Sequence, residues 1–273
     1  MVKKQTLETV TSDPMMDYLR MKLSIPHVGR IRWVAVTGSD TLGNGCYDNP
    51  YKTINFTVSK CTPNNNDVVA IKSGAYDENT SPYGVTVNIP GTIIMGAGNP
   101  ASVTVRNSKT TIPASKCVFY VSAPNVIICN ILINETRNVV TGIQTAAEYT
   151  SIQDIIFSGN MRTGIMTFNH TTIRDCWFEG MTYDGIQVNF AHAIIEHNFL
   201  MNIGGTAINI ACQADGFRNV LYGNVINGAG LTATGIAANG SNNLIAKNVV
   251  GGCANWNSDT GTGNIWLDNK NAP

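Results

Sequence analysis

Ile173-Arg-Asp-Cys-Trp-Phe178, Ile195-Glu-His-Asn-Phe-Leu200, Leu221-Tyr-Gly-Asn-Val-Ile226 and Ile245-Ala-Lys-Asn-Val-Val250 can be written one above another without a gap. Two further rows, Ile128-Cys-Asn-Ile-Leu-Ile133 and Ile152-Gln-Asp-Ile-Ile-Phe157, stand above them. Successive rows begin 24, 21, 22, 26 and 24 residues apart. A period in that range marks a repeat architecture in which each unit buries its apolar face only against its neighbours. A second column closes each unit with a small residue before isoleucine: Gly142-Ile143, Gly164-Ile165, Gly185-Ile186, Ala207-Ile208, Gly235-Ile236 and Asn264-Ile265. No helical period runs through 85–269. The runs are short, β-branched and bounded by turn residues, which predicts stacked coils of parallel strands about 4.8 Å apart.

Composition narrows the partners. Of the 273 residues 43% are apolar, enough for a long core, and only 13% are charged. Eighteen basic against eighteen acidic residues leave no net field, and with no Lys/Arg run a nucleic-acid partner held through phosphates is not expected. No stretch of about 18 apolar residues offers a membrane span, and Met1-Val-Lys-Lys-Gln-Thr6 has no apolar run behind its lysines to act as a signal peptide. Seven cysteines are an odd number. Cys129 and Cys176 sit among aliphatic residues, where a thiol behaves as a small hydrophobe. Cys46 and Cys61 flank one short segment, and spacing leaves open whether they pair.

Residues 1–33 differ from the rest. Asp13-Pro14 is a cap with proline at the first helical position, and Met15, Leu19 and Leu23 then share one face, which predicts an amphipathic helix over 14–23. So short a helix needs a surface to dock on, in cis or on a partner, so we expect a docking arm over 1–33 and one coil-stack domain over 34–273. At the start of that domain Trp33-Val-Ala-Val36 reads as a strand, Asn49-Pro50 as a second cap with a helix over 50 to about 60, and Asp67-Val-Val-Ala-Ile71 as a buried strand.

Gly38-Ser-Asp40, the Gly-rich loop after it, Asn49-Pro-Tyr-Lys-Thr-Ile54 and Val69-Ala-Ile-Lys-Ser-Gly-Ala-Tyr76 together resemble the N-terminal opening of the pectate-lyase-like right-handed parallel β-helix superfamily. The resemblance spans about 33–269. It implies an all-β parallel β-helix whose open end is capped by a short helix. It also implies a choice of roles, because the superfamily includes pectate lyases, pectin methylesterases and phage tailspike and virion-surface proteins.

Read by column, the rows predict more. Asn198, Asn224 and Asn248 share the fourth column beneath Cys176, Ile155 and Ile131, so we expect an inward asparagine ladder. The fifth column, Leu132, Ile156, Trp177, Phe199, Val225 and Val249, then points outward as an apolar seam too continuous to stay wet. Polysaccharide lyases of this fold use acidic clusters for Ca²⁺ with Arg or Lys as base. Here the third column offers Asp154 and Asp175 with Arg174 beside them, although turn residues fill this column without any function. His170, His192 and His197 are expected on different coil sides and, with His27, show no metal-ligand spacing. Tyr149, Tyr183, Tyr222, Trp256 and Trp266 read as scattered packing residues. With no transferable catalytic motif, a distinct arm, low charge and a seam, the expectation is a structural virion-surface protein, such as a phage head decoration or short tailspike. It would dock through arm and seam, as a homotrimer or with other virion proteins, without cofactor, with host glycans as a further contact left open. The alternative is a polysaccharide lyase or glycoside hydrolase working through Asp154, Asp175 and Arg174, with Ca²⁺ as a cofactor only in that case.

Overall fold

The computed structural model describes residues 28–78, 83–107, 117–136, 140–211 and 218–272. Met15, Leu19 and Leu23 of the expected arm lie outside the described residues. Nearly all elements are strands, in two parallel sheets of 17 and eight strands that wind around one core. The six rows lie in the larger sheet in the expected register. Ile128 pairs with Ile152, then Ile173, Ile195, Leu221 and Ile245 follow one per coil. The stack runs beyond the rows on both sides: Val69 and Ile94 precede Ile128, and Trp266 follows Ile245.

Each row bends in its middle. The third-column residues Asn130, Asp154, Asp175, His197, Gly223, Lys247 and Asp268 all have φ between 50° and 64°. Left-handed backbone favours Gly, Asn and Asp, so this geometry selects residues of that kind in the column. The bend turns the fourth column into the core, and the strands continue as Trp177–Glu179, Phe199–Met201, Val225–Asn227 and Val249–Gly251.

Asn198, Asn224 and Asn248 are buried at this bend. Asn198 donates its backbone N–H and its Nδ2 to Asn224 Oδ1, both at 3.0 Å. Asn224 does the same to Asn248 at 2.9 Å, and Asn248 to Asn269 at 2.9 and 3.0 Å. At the other end the Cys176 N–H closes the ladder on Asn198 Oδ1. A second ladder stands one bend away: Asn219 donates to Asn243 Oδ1, and Asn243 to Asn264 Oδ1. It is legible two residues before each row start, at Ala193, Asn219, Asn243 and Asn264.

That finding corrects the second column at its end. The eight-stranded sheet pairs Ile143, Ile165, Ile186, Ile208 and Ile236 in order, but the partner of Ile236 is Asn257. Ile265 instead pairs with Leu244 in the larger sheet. Asn264 therefore precedes its isoleucine as a ladder rung. The small residues have a steric cause: a Cβ on Gly164 would sit 2.6 Å from the Gly185 carbonyl oxygen and 2.6 Å from Phe178 Cδ1, and one on Gly142 or Gly185 would sit 2.9 Å from Phe157 or 2.7 Å from Leu200. The bulky sixth column of the rows fills the space that the glycines leave.

At the start of the stack the helix is shorter than expected, Ile54–Val58, with Thr53 as its cap. The backbone just before it is committed elsewhere, since Tyr51 exchanges hydrogen bonds with Trp33 and Ala35. Asp40 accepts from the Lys52 and Thr53 N–H groups, and Glu78 Oε1 accepts from the Ile54 N–H at 2.7 Å, so two carboxylates occupy the helix start. Strand Ile31–Val34 pairs with Val68–Ile71, which puts residues 31–33 in the coil body rather than in an arm ending at 33. Cys46 and Cys61 are free thiols. No helix of the described residues is long and apolar enough to cross a membrane.

Candidate functional site

The eight-stranded sheet repeats one pattern, seen in Thr141–Thr145: the isoleucine points into the core and the residue after it faces outward. Stacked, the outward residues form the line Thr86, Tyr120, Gln144, Met166, Gln187, Asn209, Ala237 and Ser258. Seven spacings of about 4.8 Å make this face about 34 Å long. Tyr83 stacks on Tyr120 at 4.1 Å.

One acidic side chain is set into the face. Asp184 stands two residues before Ile186, where the two coils on either side carry Thr141, Thr163, Thr206 and Thr234. The residue is only 2% exposed. Oδ1 accepts from the Thr206 N–H at 3.1 Å and Oδ2 from Asn209 Nδ2 at 2.9 Å. The amide is oriented from behind, because Asn239 Nδ2 donates to Asn209 Oδ1 at 3.4 Å and Thr260 Oγ1 to Asn239 Oδ1 at 2.9 Å. On the other flank the Arg162 guanidinium lies 5.4 Å from the Tyr183 ring. Burial pushes the Asp184 carboxyl above its ordinary value, against the opposing pull of Asn209, Thr206 and the Arg162 charge. A carboxyl so placed keeps its proton further up the pH scale, the condition for a general acid.

The sequence-based candidates lie elsewhere. Asp154 and Asp175 occupy the left-handed bend of adjacent coils, and Arg174 Nε donates to Gln153 Oε1 at 2.6 Å. Bend geometry accounts for their residue types. Among the described residues no three His, Cys, Asp or Glu side chains gather as a metal site.

The seam residues face outward and stack from Leu132 through Ile156, Trp177, Phe199 and Val225 to Val249. Trp177 is 40% and Val225 38% exposed, the other four about half-buried. The Trp177 and Phe199 rings stack at 4.3 Å. Thr104 bounds the line at one end and Lys270 at the other.

The histidines need a correction. His170 and His192 share one corner and stack at 4.7 Å, with Tyr149 on the far face of His170, also at 4.7 Å. Only His197 stands on a different bend, edge-on to Tyr222. All three corner residues have φ near +55°, so a second left-handed bend, displaced around the coil, brings them into one stack. Trp256 and Trp266 pack edge to face at 5.8 Å against the core.

The strand stacking and the bends place the molecule among known folds. Carrot pectin methylesterase superposes with a TM-score of 0.62 at 14% identity, over 91% of this chain and 85% of that one. The chain has the right-handed parallel β-helix fold. Escherichia coli YbhC superposes with a TM-score of 0.61 at 12% identity, over 91% of this β-helix and 86% of that chain. The A-module of the mannuronan C-5 epimerase AlgE6 from Azotobacter vinelandii gives 0.55 at 14% identity, over 75% and 68%. No family model and no curated protein matches the β-helix in sequence.

Sequence reasoning passed over Asp184, although the signal was present. One step before the Gly-Ile column, the only carboxylate interrupts a run of threonines.

Proposed function

We propose that this β-helix is a carbohydrate-active protein that holds an extended glycan along the outer face of the eight-stranded sheet and uses Asp184 for proton transfer. The observation that carries the reading is Asp184 itself. It is the acidic exception in a threonine column, buried on a long amide-lined face, with a raised pKa and an oriented network behind it. Gln187 and Asn209 supply side-chain amides in adjacent coils and Gln144 a third two coils before Gln187, a line suited to a linear polymer with hydroxyls on every unit. Arg162 adds a cation beside the carboxyl. The company of a pectin methylesterase and a mannuronan epimerase in the fold supports the class and leaves the substrate to experiment.

In this mechanism the protonated Asp184 gives its proton to a sugar oxygen as the bond from that oxygen to carbon breaks, and either water adds at the carbon and loses a proton to solvent or a neighbouring C–H proton is lost to solvent to leave a double bond. The Thr206 N–H and Asn209 Nδ2 then stabilise the carboxylate that is left. Asp184→Asn preserves the shape and the acceptor for Thr206. With a panel of neutral and acidic polysaccharides, we expect the wild type to change at least one of them, read as reducing ends, unsaturated ends or altered residues. The variant should be at least about 100-fold slower with undiminished glycan binding, in line with the usual worth of positioned acid–base groups. The activity limb that needs protonated Asp184 should fall as pH rises through a value above an aspartate's ordinary one, and Asp184→Asn should abolish that limb. A raised carboxyl pKa also makes the folded state relatively more stable in acid than at neutral pH, a slope the variant should lose. Equal rates in both proteins would remove Asp184 from the chemistry.

A second reading rests on the seam. Six outward apolar residues spanning about 24 Å fit side-by-side packing of β-helices, as in a trimeric spike or a particle-surface protein. Sedimentation over a hundredfold concentration range tests it. Association that Trp177→Asp abolishes supports the packing role, and a monomer throughout removes it.

A further inference from the structure

Asparagine is followed by glycine at three places, Asn44-Gly45, Asn227-Gly228 and Asn239-Gly240. Glycine has no side chain to crowd its nitrogen, so in this pair the glycine nitrogen can reach the amide carbon of the asparagine before it. The structure separates the three. The Gly45 N–H is bonded to Asn49 O at 3.1 Å and the Gly228 N–H to Gly251 O at 2.8 Å. Among the described residues the Gly240 N–H has no acceptor, although Gly240 is buried. A buried backbone N–H without a partner is rare. All three asparagine side-chain oxygens accept a hydrogen bond, Asn44 from Cys46, Asn227 from Ala229 and Asn239 from Thr260 Oγ1. The free glycine nitrogen is therefore what sets Asn239 apart.

We propose that Asn239 is a site of self-modification, in which the chain converts it to aspartate or isoaspartate and the change passes through Asn209 to Asp184. The Gly240 nitrogen loses its proton to solvent and bonds to Asn239 Cγ. The Cγ–Nδ2 bond breaks, and the nitrogen takes a proton from water and leaves as ammonia. Water then opens the ring imide, adding at Cγ to leave aspartate or at the main-chain carbonyl carbon to leave isoaspartate. The route to Asp184 is one amide long. Asn239 Nδ2 donates to Asn209 Oδ1 at 3.4 Å, and Asn209 Nδ2 to Asp184 Oδ2 at 2.9 Å. A carboxylate at 239 has no proton for Asn209 Oδ1 and repels it. Turning the Asn209 amide over relieves the repulsion and leaves its oxygen, instead of its nitrogen, facing Asp184. The carboxyl then loses a donor that favours its charged form and holds its proton to a higher pH. On the proton-transfer reading above, which this consequence rests on, the modified chain acts as an acid over a wider pH range.

The folded full-length chain, kept in warm, mildly alkaline buffer and followed by peptide mass, tests the site. Asn239 should lose ammonia about tenfold faster than Asn44 or Asn227, the rate worth of a hydrogen bond that need not be broken first. A rate at Asn239 no higher than at the other two overturns the site. Asn239→Asp stands for the aspartate product. Its Asp184 carboxyl, followed by carbon NMR and assigned with Asp184→Asn, should titrate about one pH unit above that of the wild type. The aged wild-type chain should show the same shift, and an unchanged Asp184 titration in both overturns the coupling. Neither readout uses a glycan. Failure of the proton-transfer reading would show separately, as chains that titrate in this way while no polysaccharide is changed.

Discussion

Asn224→Leu should destabilise the β-helix by about 4 kcal/mol. Asn224 Oδ1 accepts the Asn198 N–H and Asn198 Nδ2, and its own Nδ2 donates to Ile195 O at 2.9 Å and to Asn248 Oδ1. Leucine has the same branched skeleton but satisfies none of these groups. The Asn198 N–H and one Asn198 Nδ2 proton are then buried without partners, each at a cost of roughly 1–3 kcal/mol, and the Ile195 carbonyl loses a donor. Asn269 sits at the half-buried end of the same ladder, where water can replace a lost rung. Asn269→Ala should cost about 1 kcal/mol. Equilibrium denaturation of the two variants checks the contrast. A loss under about 1 kcal/mol for Asn224→Leu would show that the coils relax enough to hydrate the bend.

Phe178→Ala should cost about as much for a different reason. Phe178 is fully buried and stacks on Phe157 at 4.6 Å with ring planes 3° apart. Removing a buried phenylalanine typically costs 3–5 kcal/mol through lost transfer energy and the cavity left behind, and the ring pair adds about 0.5–1.5 kcal/mol. Collapse into the cavity is blocked. The side facing Phe178 is Gly164, which has no side chain to move, and the coils above and below are held by parallel backbone pairing. Its chain neighbour Trp177 points outward and is 40% exposed, so Trp177→Ala should cost less than about 1 kcal/mol in the monomer. In a stacked array the larger loss falls in the middle coils, and the transition of Phe178→Ala should broaden as the two halves part.

These variants show why much of the molecule could be read directly. Within a row, side chains alternate in and out, and between coils the stacking is one to one, so a column of the sequence is a line in space. That is why Ile128, Ile152 and Ile173 are neighbours, and why Phe178 faces inward while Trp177 faces outward. It also explains why Asn198, Asn224 and Asn248 bond to one another. Asp184 is legible by the same rule, one step before the Gly-Ile column.

What the rule does not supply is the angle between columns. Asn264 followed by Ile265 has the form of the closing column, yet it belongs to the second ladder, because the last coil inserts strand Asn255–Asp259 before it. His170 and His192 meet, and His197 does not, because two separate left-handed bends turn the chain at different points of the coil. The sequence alone therefore determined the coil register, the interior lining and the seam, since local alternation and equal stacking act over one residue and one coil. Only the tertiary structure decided which columns share a face. That is how Asp184 came to lie beside Asn209 and Arg162, because the sum of the bend angles around a coil is a global quantity.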